Sequence, residues 1–416
     1  MGEVCAAALM VAVLLEIFLR LFPGLMPLSL LVNFQENLRQ EIARRAGLPA
    51  AANTLPVKRD DNGPPLRVYR PSATIEVPFD TEDIGAVKSV TMDANGFCNP
   101  PAAAELEQVD IIATGDSFTW CVGVKPEDTW WARFAARSGR SAYSLGLGGT
   151  GPYEELQLLK RFGLSRAPRV VVMNIYGGND LRGAVQFQEY RQKLAEREGR
   201  PYLVDACVGL PGPACTVYRT LKEGPIGRNS YAFNLASNAT RDSILRVRRA
   251  FAPAAPKEEP SFRYRVRLGS EEILFNRGNA DLDDLEYARR LENGDISLDA
   301  FNEALKGFTA LARQYGFRPV VSFTPAAYAV YAVRAVFEDA AAGELIQRFS
   351  DEERRYFAEQ AQKYGYTFVD FTPALRSAAA SSGELLYFPS NVHLTQAGHA
   401  AVGEALAATL RNGVLP

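Results

Sequence analysis

Residues 109–117 read VDIIATGDS, an apolar run that ends in a small polar turn. The run has the length and β-branched content of a buried strand, and the turn delivers Ser117 to the start of a following helix. A second such run ends at Asn179, and a third, Ser141 to Leu145, leads into the glycine-rich segment 146–151. Strands that alternate with helices in this way predict a three-layer, doubly wound parallel sheet of the α/β class.

Ser117 is a candidate nucleophile, provided that a base and oxyanion donors converge on it. An unassisted serine hydroxyl reacts poorly at neutral pH, so an imidazole must take its proton and fixed donors must receive the charge on the attacked oxygen. The chain contains only two histidines, His393 and His399. Because parallel strands present their carboxyl ends at one edge of a sheet, Ser117, the glycine loop and Asn179 are expected to meet there.

Four blocks in this order, Gly-Asp-Ser, a glycine loop, Gly-x-Asn-Asp and a C-terminal histidine, resemble the SGNH, or GDSL, hydrolase family. The resemblance covers residues 109–399 and implies a flavodoxin-like α/β/α fold. It implies that Ser117 is the nucleophile, that its own N–H is one oxyanion donor and that His393 is the base. The Gly149 N–H and the Asn179 side chain would be the other two oxyanion donors.

One position departs from the family pattern, which usually places an aspartate two or three residues before the histidine. This chain has Ser390 and Asn391 there. Asparagine can hold an imidazole ring by hydrogen bonding, but in a serine protease the loss of the orienting aspartate lowers turnover by about 10⁴. Weak activity, a Ser-His dyad or a carboxylate borrowed from Asp370 remain open. A noncatalytic domain that binds a glycan or a protein partner is the alternative function.

Each motif also has a purely structural interpretation when taken alone. Ser117 could cap a helix, and Asn179 could form a turn. We expect Asp116 to hold the serine loop by hydrogen bonds and His399 to pack in the core, with no chemical role for either. Core packing is also favoured over sugar stacking for Trp130 and Trp131, which have amphipathic helical spacing.

Segment 146–151 also fits the Gly-x-Gly-x-x-Gly dinucleotide fingerprint, which requires an acidic residue ~20 residues later. The nearest candidate, Asp180, comes too late. The sequence has no Walker loop, no Gly-x-Ser-x-Gly elbow and no metal-ligand spacing of cysteine and histidine, so no cofactor and no metal are predicted. With 46 basic and 48 acidic side chains in 416 residues, nothing indicates nucleic-acid binding.

The five cysteines are too few for a disulfide scaffold. Cys207 and Cys215 flank a proline-containing loop and could pair in an oxidising compartment, although two free thiols are the default expectation. Cys121, four residues after Ser117, is expected to pack behind the nucleophile turn.

The N-terminus is apolar from Val4 to Leu15, and this character persists to Val32. A membrane anchor over residues 1–35 is favoured over a docked amphipathic helix, with Glu16 and Arg20 paired at the membrane interface. Basic residues follow this segment rather than precede it, which favours a cytoplasmic main domain. The family resemblance instead implies an extracytoplasmic one, in the periplasm or cell envelope, and we favour this location.

The remaining chain divides into a small β-containing lead-in at 36–107 and a hydrolase-like domain at 108–412. An insertion at about 183–297 contains a predicted helix at 241–251 and a hairpin about Gly269-Ser270, and it is expected to shape a substrate lid. Together these features predict a membrane-tethered serine esterase or O-acyltransferase that acts on small acyl esters. The family resemblance points to O-acetyl groups of carbohydrate.

Overall fold

A five-stranded parallel sheet forms the centre of the main packing unit. The computed structural model describes residues 2–27, 30, 54–76, 86–196, 217–218, 220–221, 224–251, 262–277 and 279–411. The strands in these ranges are β1 (Thr54–Val57), β2 (Leu66–Tyr69), β3 (Thr74–Glu76), β4 (Ser89–Thr91), β5 (Ile111–Gly115), β6 (Ala142–Ser144), β7 (Val170–Gly177), β8 (Tyr264–Leu268), β9 (Glu271–Phe275), β10 (Arg318–Pro325), β11 (Ala335–Phe337) and β12 (Thr367–Asp370).

The helices divide between the packing unit that contains this sheet and a second unit formed by residues 1–53 and 200–259. In the described ranges they are α1 (Gly2–Leu21), α2 (Pro101–Ala104), α3 (Trp130–Ser138), α4 (Pro152–Leu158), α5 (Asp180–Glu196), α6 (Pro225–Asn229), α7 (Tyr231–Phe251), α8 (Leu282–Glu292), α9 (Asn302–Tyr315), α10 (Ala327–Val330), α11 (Ala340–Tyr364), α12 (Thr372–Ser381) and α13 (Gln396–Arg411).

The central sheet has the strand order β12-β10-β7-β5-β6, and all its neighbouring pairs are parallel. In chain order of the five strands this is 2-1-3-4-5, the flavodoxin-like order. After β5 the chain adds β6 on one side and then returns to add β7 on the other. The topological switch point therefore lies at the carboxyl end of β5, where ligands bind in open α/β sheets.

Burial explains why these segments are strands. Every residue of β5 and β7 is buried, as expected for parallel strands that are covered by helices on both faces. The core includes Ile112 and Val172 on these two strands and Phe308 on α9. The α/β class and the doubly wound parallel sheet predicted from the sequence are confirmed.

Two antiparallel hairpins, β1-β2 and β3-β4, precede the central sheet, and a separate sheet has the order β11-β8-β9. The predicted hairpin about Gly269-Ser270 is the β8-β9 pair. Arg59, just after β1, forms ion pairs with Glu154 on α4 at 2.6 Å and with Asp61 at 2.7 Å. These contacts attach the first hairpin to the helix that follows the glycine loop.

The chain forms two packing units, residues 1–53 with 200–259 and residues 54–199 with 260–416. In the first unit, α1 and the turn after it pack against the start of α7 through Leu19, Met26 and Tyr231. Glu16 and Arg20 pair at 2.7 Å, as anticipated. The Glu16 carboxylate also accepts hydrogen bonds from the N–H groups of Tyr231 (3.1 Å) and Ala232 (2.9 Å), so it caps α7.

Helix α1 exposes several large apolar side chains, among them Leu14 (59%) and Leu21 (69%). Nevertheless, among the residues that the structure describes, no helix combines the length and the apolar character needed to cross a bilayer. The anchor predicted over residues 1–35 thus has no support from the described helices. The basic residues after the apolar segment, and Cys207 and Cys215, lie outside the described residues.

Cys98 and Cys121 form a disulfide, with their Cα atoms 6.2 Å apart. The expectation that Cys121 only packs behind the nucleophile turn is therefore corrected. The bond joins the segment after β4 to the loop after Ser117, and both half-cystines are buried beside Trp120. A separation of 23 residues with no pairing motif left no local signal for this bond.

Two helices begin at polar caps. Helix α7 starts at Tyr231 rather than at residue 241, because Glu16 caps it there. Helix α11 starts at Ala340, where the Asp339 side chain accepts hydrogen bonds from the N–H groups of Ala341 and Ala342. Polar caps define both starts.

Candidate active site

Ser117 and His393 meet at the carboxyl edge of the central sheet. The Ser117 Oγ lies 2.9 Å from Nε2 of His393, although the two residues are 276 positions apart in sequence. Ser117 follows β5 directly, and His393 lies in the loop before α13. The serine hydroxyl can therefore donate its proton to an unprotonated Nε2.

Asn391 contacts the other side of the imidazole. Its Oδ1 lies 3.2 Å from His393 Nδ1 and accepts the backbone N–H of His393 at 3.0 Å. When Nδ1 carries the proton and donates it to this oxygen, Nε2 is the acceptor that faces Ser117. The amide thus selects the tautomer that the serine needs, without supplying a negative charge.

The loop that carries His393 is tightly folded. Phe388 donates its N–H to the His393 carbonyl at 2.8 Å, and Val392 donates to the Phe388 carbonyl at 2.9 Å. Val392 has φ 57°, a strained conformation for a β-branched residue. Such strain persists only where the surrounding structure holds it, and here it lies beside the candidate base.

The glycine loop follows β6 and lies beside Ser117. A Cβ at Gly148 would come 3.8 Å from the Ser117 Cβ, and Gly148 and Gly149 are both exposed. Gly149 has φ 76°, in the left-handed region that favours glycine. At Gly146 a Cβ would lie 2.5 Å from the backbone of Thr119, so close packing requires glycine there. The exposed part of this loop therefore lies open to solvent beside Ser117.

The Asp116 carboxylate interacts with the Gly-Asp-Ser turn and with Asn179 of the Gly-x-Asn-Asp block. Its carboxylate accepts the Phe118 N–H at 2.9 Å and the Ser117 hydroxyl at 3.4 Å. The Ser117 N–H and the Asn179 side chain also lie near this carboxylate and act to lower its pKa. Burial raises the pKa of Asp116 to about 6, while these hydrogen bonds oppose the rise. Asp116 thus holds the serine loop, and it lies near two of the three expected oxyanion donors, the Ser117 N–H and the Asn179 side chain.

Two further buried carboxyl groups lie behind this edge. Asp180 begins α5, and its Oδ2 accepts the Tyr176 N–H at 2.7 Å. Glu155 lies in α4, and neither of its carboxyl oxygens has a hydrogen-bond partner among the described residues. Burial raises the pKa of both groups well above the usual values, and the negative charge of Asp116 adds to each shift. Sequence patterns gave no signal for this cluster.

The two histidines have different surroundings. Burial lowers the pKa of His393 to about 4, so the ring is neutral and able to accept a proton at pH 7. His399 is fully buried on α13, and its Nδ1 accepts the Trp130 N–H at the start of α3 at 3.2 Å. Burial lowers the pKa of His399 to about 3. His399 therefore acts as a neutral helix cap, in the structural place expected for it.

The tryptophans that follow Ser117 pack inside the protein. Trp130 and Trp131 are at most 1% exposed, and their indole N–H groups donate to the carbonyls of Phe118 (3.0 Å) and Thr119 (3.2 Å). They hold the segment behind the nucleophile and leave no face for a sugar. Core packing, the favoured interpretation, describes both residues.

The structure thus places His393 between Ser117 and Asn391, the glycine loop beside Ser117 and Asn179 near Asp116. It gives Asp370 a different setting. The Asp370 carboxylate pairs with Arg354 at 2.7 Å and accepts the Thr372 N–H at 2.8 Å at the start of α12. β12, which carries it, is the edge strand three positions from β5.

A groove of about 830 Å³ lies beside the His393 loop. Its walls include Phe388, Pro389 and Thr395 from that loop and Lys125 and Arg133 from the region after Ser117. Among the described residues, no group of His, Cys, Asp or Glu side chains could hold a metal ion.

No protein-family model matches the sequence, and no curated protein matches it. Among solved structures, the chain is similar to a lipolytic protein of the G-D-S-L family from Desulfitobacterium hafniense DCB-2. That pair has 13% identity and a TM-score of 0.36, and the alignment covers 72% of this chain and 98% of that one.

A carbohydrate acetylesterase family member from Sinorhizobium meliloti is also similar, with 14% identity, 72% and 96% coverage and a TM-score of 0.30. Phospholipase A1 from Streptomyces albidoflavus NA297 has 14% identity, 72% and 97% coverage and a TM-score of 0.30. The chain resembles the SGNH/GDSL hydrolases in its four sequence blocks and its strand order.

Proposed function

We propose that this protein is an SGNH-type serine esterase or O-acyltransferase with Ser117 as nucleophile and His393 as base. The observation that carries the proposal is the 2.9 Å contact between Ser117 Oγ and an imidazole Nε2 whose other nitrogen faces Asn391 Oδ1. The low pKa of His393 keeps the ring neutral at physiological pH, which a general base requires.

The reaction has two steps, transfer of the acyl group to Ser117 and its transfer from Ser117 to an acceptor. Ser117 Oγ bonds to the acyl carbon while its proton passes to His393 Nε2, and the carbonyl oxygen becomes negative. The N–H groups of Ser117 and Gly149 and the amide of Asn179 receive that charge. The C–O bond to the alcohol then breaks, and His393 returns the proton to the departing alkoxide. Water or a sugar hydroxyl completes the cycle by the same route in reverse, which gives hydrolysis or acyl transfer.

Asn179 can fill this role without leaving Asp116. An amide has two N–H donors, so one can stay on the Asp116 carboxylate while the other meets the substrate. The neutral Asn391 makes the base weaker than in a triad with aspartate. Low turnover is therefore part of the proposal.

We propose O-acetylated carbohydrate as the first substrate class to test, with other small acyl esters as controls. The family resemblance of the sequence blocks supports this choice. We also propose that the catalytic unit works outside the cytoplasm. The buried Cys98–Cys121 disulfide supports that location, because structural disulfides persist in oxidising compartments and are rare in the cytosol.

The test is intact-mass labelling of the purified full chain with a fluorophosphonate. Rapid addition of one label is expected, and both Ser117→Ala and His393→Ala should abolish it. The His399→Gln variant is the matched control, because it removes the other imidazole and should still be labelled. Absence of labelling in folded wild-type protein would refute the catalytic proposal.

The second candidate function is a noncatalytic domain that binds a glycan or a protein partner. The observation that favours it is the uncharged Asn391 in contact with the candidate base. In that case a glycan array would give binding that Ser117→Ala leaves unchanged, and no ester in a broad panel would be consumed.

A further inference from the structure

Three aromatic rings are stacked at the candidate site. The Phe118 and Tyr176 rings have centroids 3.6 Å apart and planes 13° from parallel. Phe118 also stacks on the His393 imidazole, with centroids 4.8 Å apart and planes 21° from parallel. Phe118 and Tyr176 are each 3% exposed. Phe118 therefore provides a flat, buried surface for the histidine ring, with Tyr176 as its support.

Phe118 is itself held in place from several sides. Its N–H donates to Asp116 at 2.9 Å, its carbonyl accepts the Trp130 indole N–H at 3.0 Å, and its ring lies on Tyr176. It also follows Ser117 directly in the chain. The nucleophile and the surface against which the base packs thus belong to one rigid segment.

The imidazole of His393 needs such a surface, because the torsion that turns a histidine ring has a broad energy minimum. A carboxylate normally restrains it with a short, charge-assisted hydrogen bond. Here the partner is the neutral Oδ1 of Asn391, at 3.2 Å. This contact sets the tautomer, while contact with a flat neighbour opposes the rotation that would swing Nε2 away from Ser117.

We propose that Phe118 is a positioning residue for His393 and that its ring contributes the orientation that a carboxylate would otherwise supply. This inference rests on the proposed function, in which His393 is the base. The effects of substitutions at Phe118 and at Asn391 on the rate should therefore be non-additive, because both residues restrain the same ring.

The experiment compares Phe118→Leu, which removes the flat ring, with Phe118→Tyr, which keeps it. Phe308→Leu is the matched control, since Phe308 is equally buried and packs against Phe317 on another face of the core. Phe118→Leu should slow fluorophosphonate labelling by about tenfold, the scale of one aromatic contact. Phe118→Tyr and Phe308→Leu should stay within about threefold of wild type.

Coupling is measured by repeating Phe118→Leu in an Asn391→Asp background. A carboxylate should restrain the ring without help, so the tenfold loss should shrink to less than about threefold. An equal loss in both backgrounds would show that Phe118 acts other than through ring orientation, and it would overturn the proposal. Wild-type labelling of Phe118→Leu would overturn it as well.

A second readout does not depend on activity. The chain has two histidines, so imidazole nitrogen NMR gives two ring systems, assigned with His393→Ala. In wild type, His393 should show one tautomer with the proton on Nδ1. In Phe118→Leu the ring should rotate away from Asn391 Oδ1, which sets the tautomer, and the spectrum should show a mixture of tautomers. If wild type is not labelled, the proposed function fails and this spectrum still decides the inference: identical His393 signals in both proteins refute it.

Discussion

His393 Nδ1 lies 3.2 Å from Oδ1 of Asn391, where an SGNH hydrolase usually has an aspartate. The amide provides an acceptor in the right place and no charge. Burial lowers the pKa of the imidazole to about 4, and the neutral amide does not supply the charge that would raise it. This relationship determines the pH below which the rate should fall, and it determines the effect of restoring a carboxylate at position 391.

We expect the labelling rate of wild type to fall as the pH drops through about 4, where His393 becomes protonated. Asn391→Asp adds an opposite charge, so it should raise the His393 pKa, move the acid limb to higher pH and increase the rate at pH 7. Rate profiles on both proteins test this. An acid limb at the same pH in both would contradict it.

Asn179→Ala should lower kcat for a small acetyl ester by about 10²–10³, because one oxyanion donor is lost, with little change in KM. Steady-state kinetics at saturating ester measure this. Asn302→Ala is the control for loss of a buried amide contact, since Asn302 accepts hydrogen bonds from Tyr356 and Tyr364 on the helical side of the core. An unchanged kcat in Asn179→Ala would restrict Asn179 to holding Asp116.

Removal of the Cys98–Cys121 disulfide should lower the free energy of unfolding by about 3 kcal/mol, the loop-closure contribution for a bond that spans 23 residues. Because Cys121 lies four residues after Ser117, labelling should be lost at lower denaturant concentration than global unfolding. Urea titrations of the Cys98→Ser/Cys121→Ser protein measure both effects. Alkylation of both thiols in unreduced protein would show that the bond does not form.

Glu155→Gln should stabilise the protein at alkaline pH. Burial raises the pKa of Glu155 in the folded state, so its contribution is fully present below the unfolded value of 4.5 and is lost as the pH rises towards the folded pKa. Glutamine cannot ionise and avoids that loss. The Tm of the variant should exceed that of wild type by about 2 °C or more at pH 8, and the gap should close by pH 4. Glu404→Gln, at an exposed site, should change neither value.

Local patterns accounted for the architecture and for the placing of the site. The apolar runs before Ser117 and Asn179 are strands because helices cover both faces of the sheet, and a parallel sheet must bring their ends to one edge. The other histidine, His399, could be distinguished from His393 because it lies within the predicted final helix, whereas His393 precedes that helix. These inferences needed only periodicity, short motifs and strand geometry.

Long-range packing decided the rest. The Cys98–Cys121 bond, the stack of Tyr176, Phe118 and His393, and the cap that Glu16 places on α7 join segments that carry no mutual signal in sequence. Such contacts depend on where whole elements dock, which is a property of the assembled core. A residue's identity encodes what it can bond, whereas only the folded chain determines which partner comes within reach.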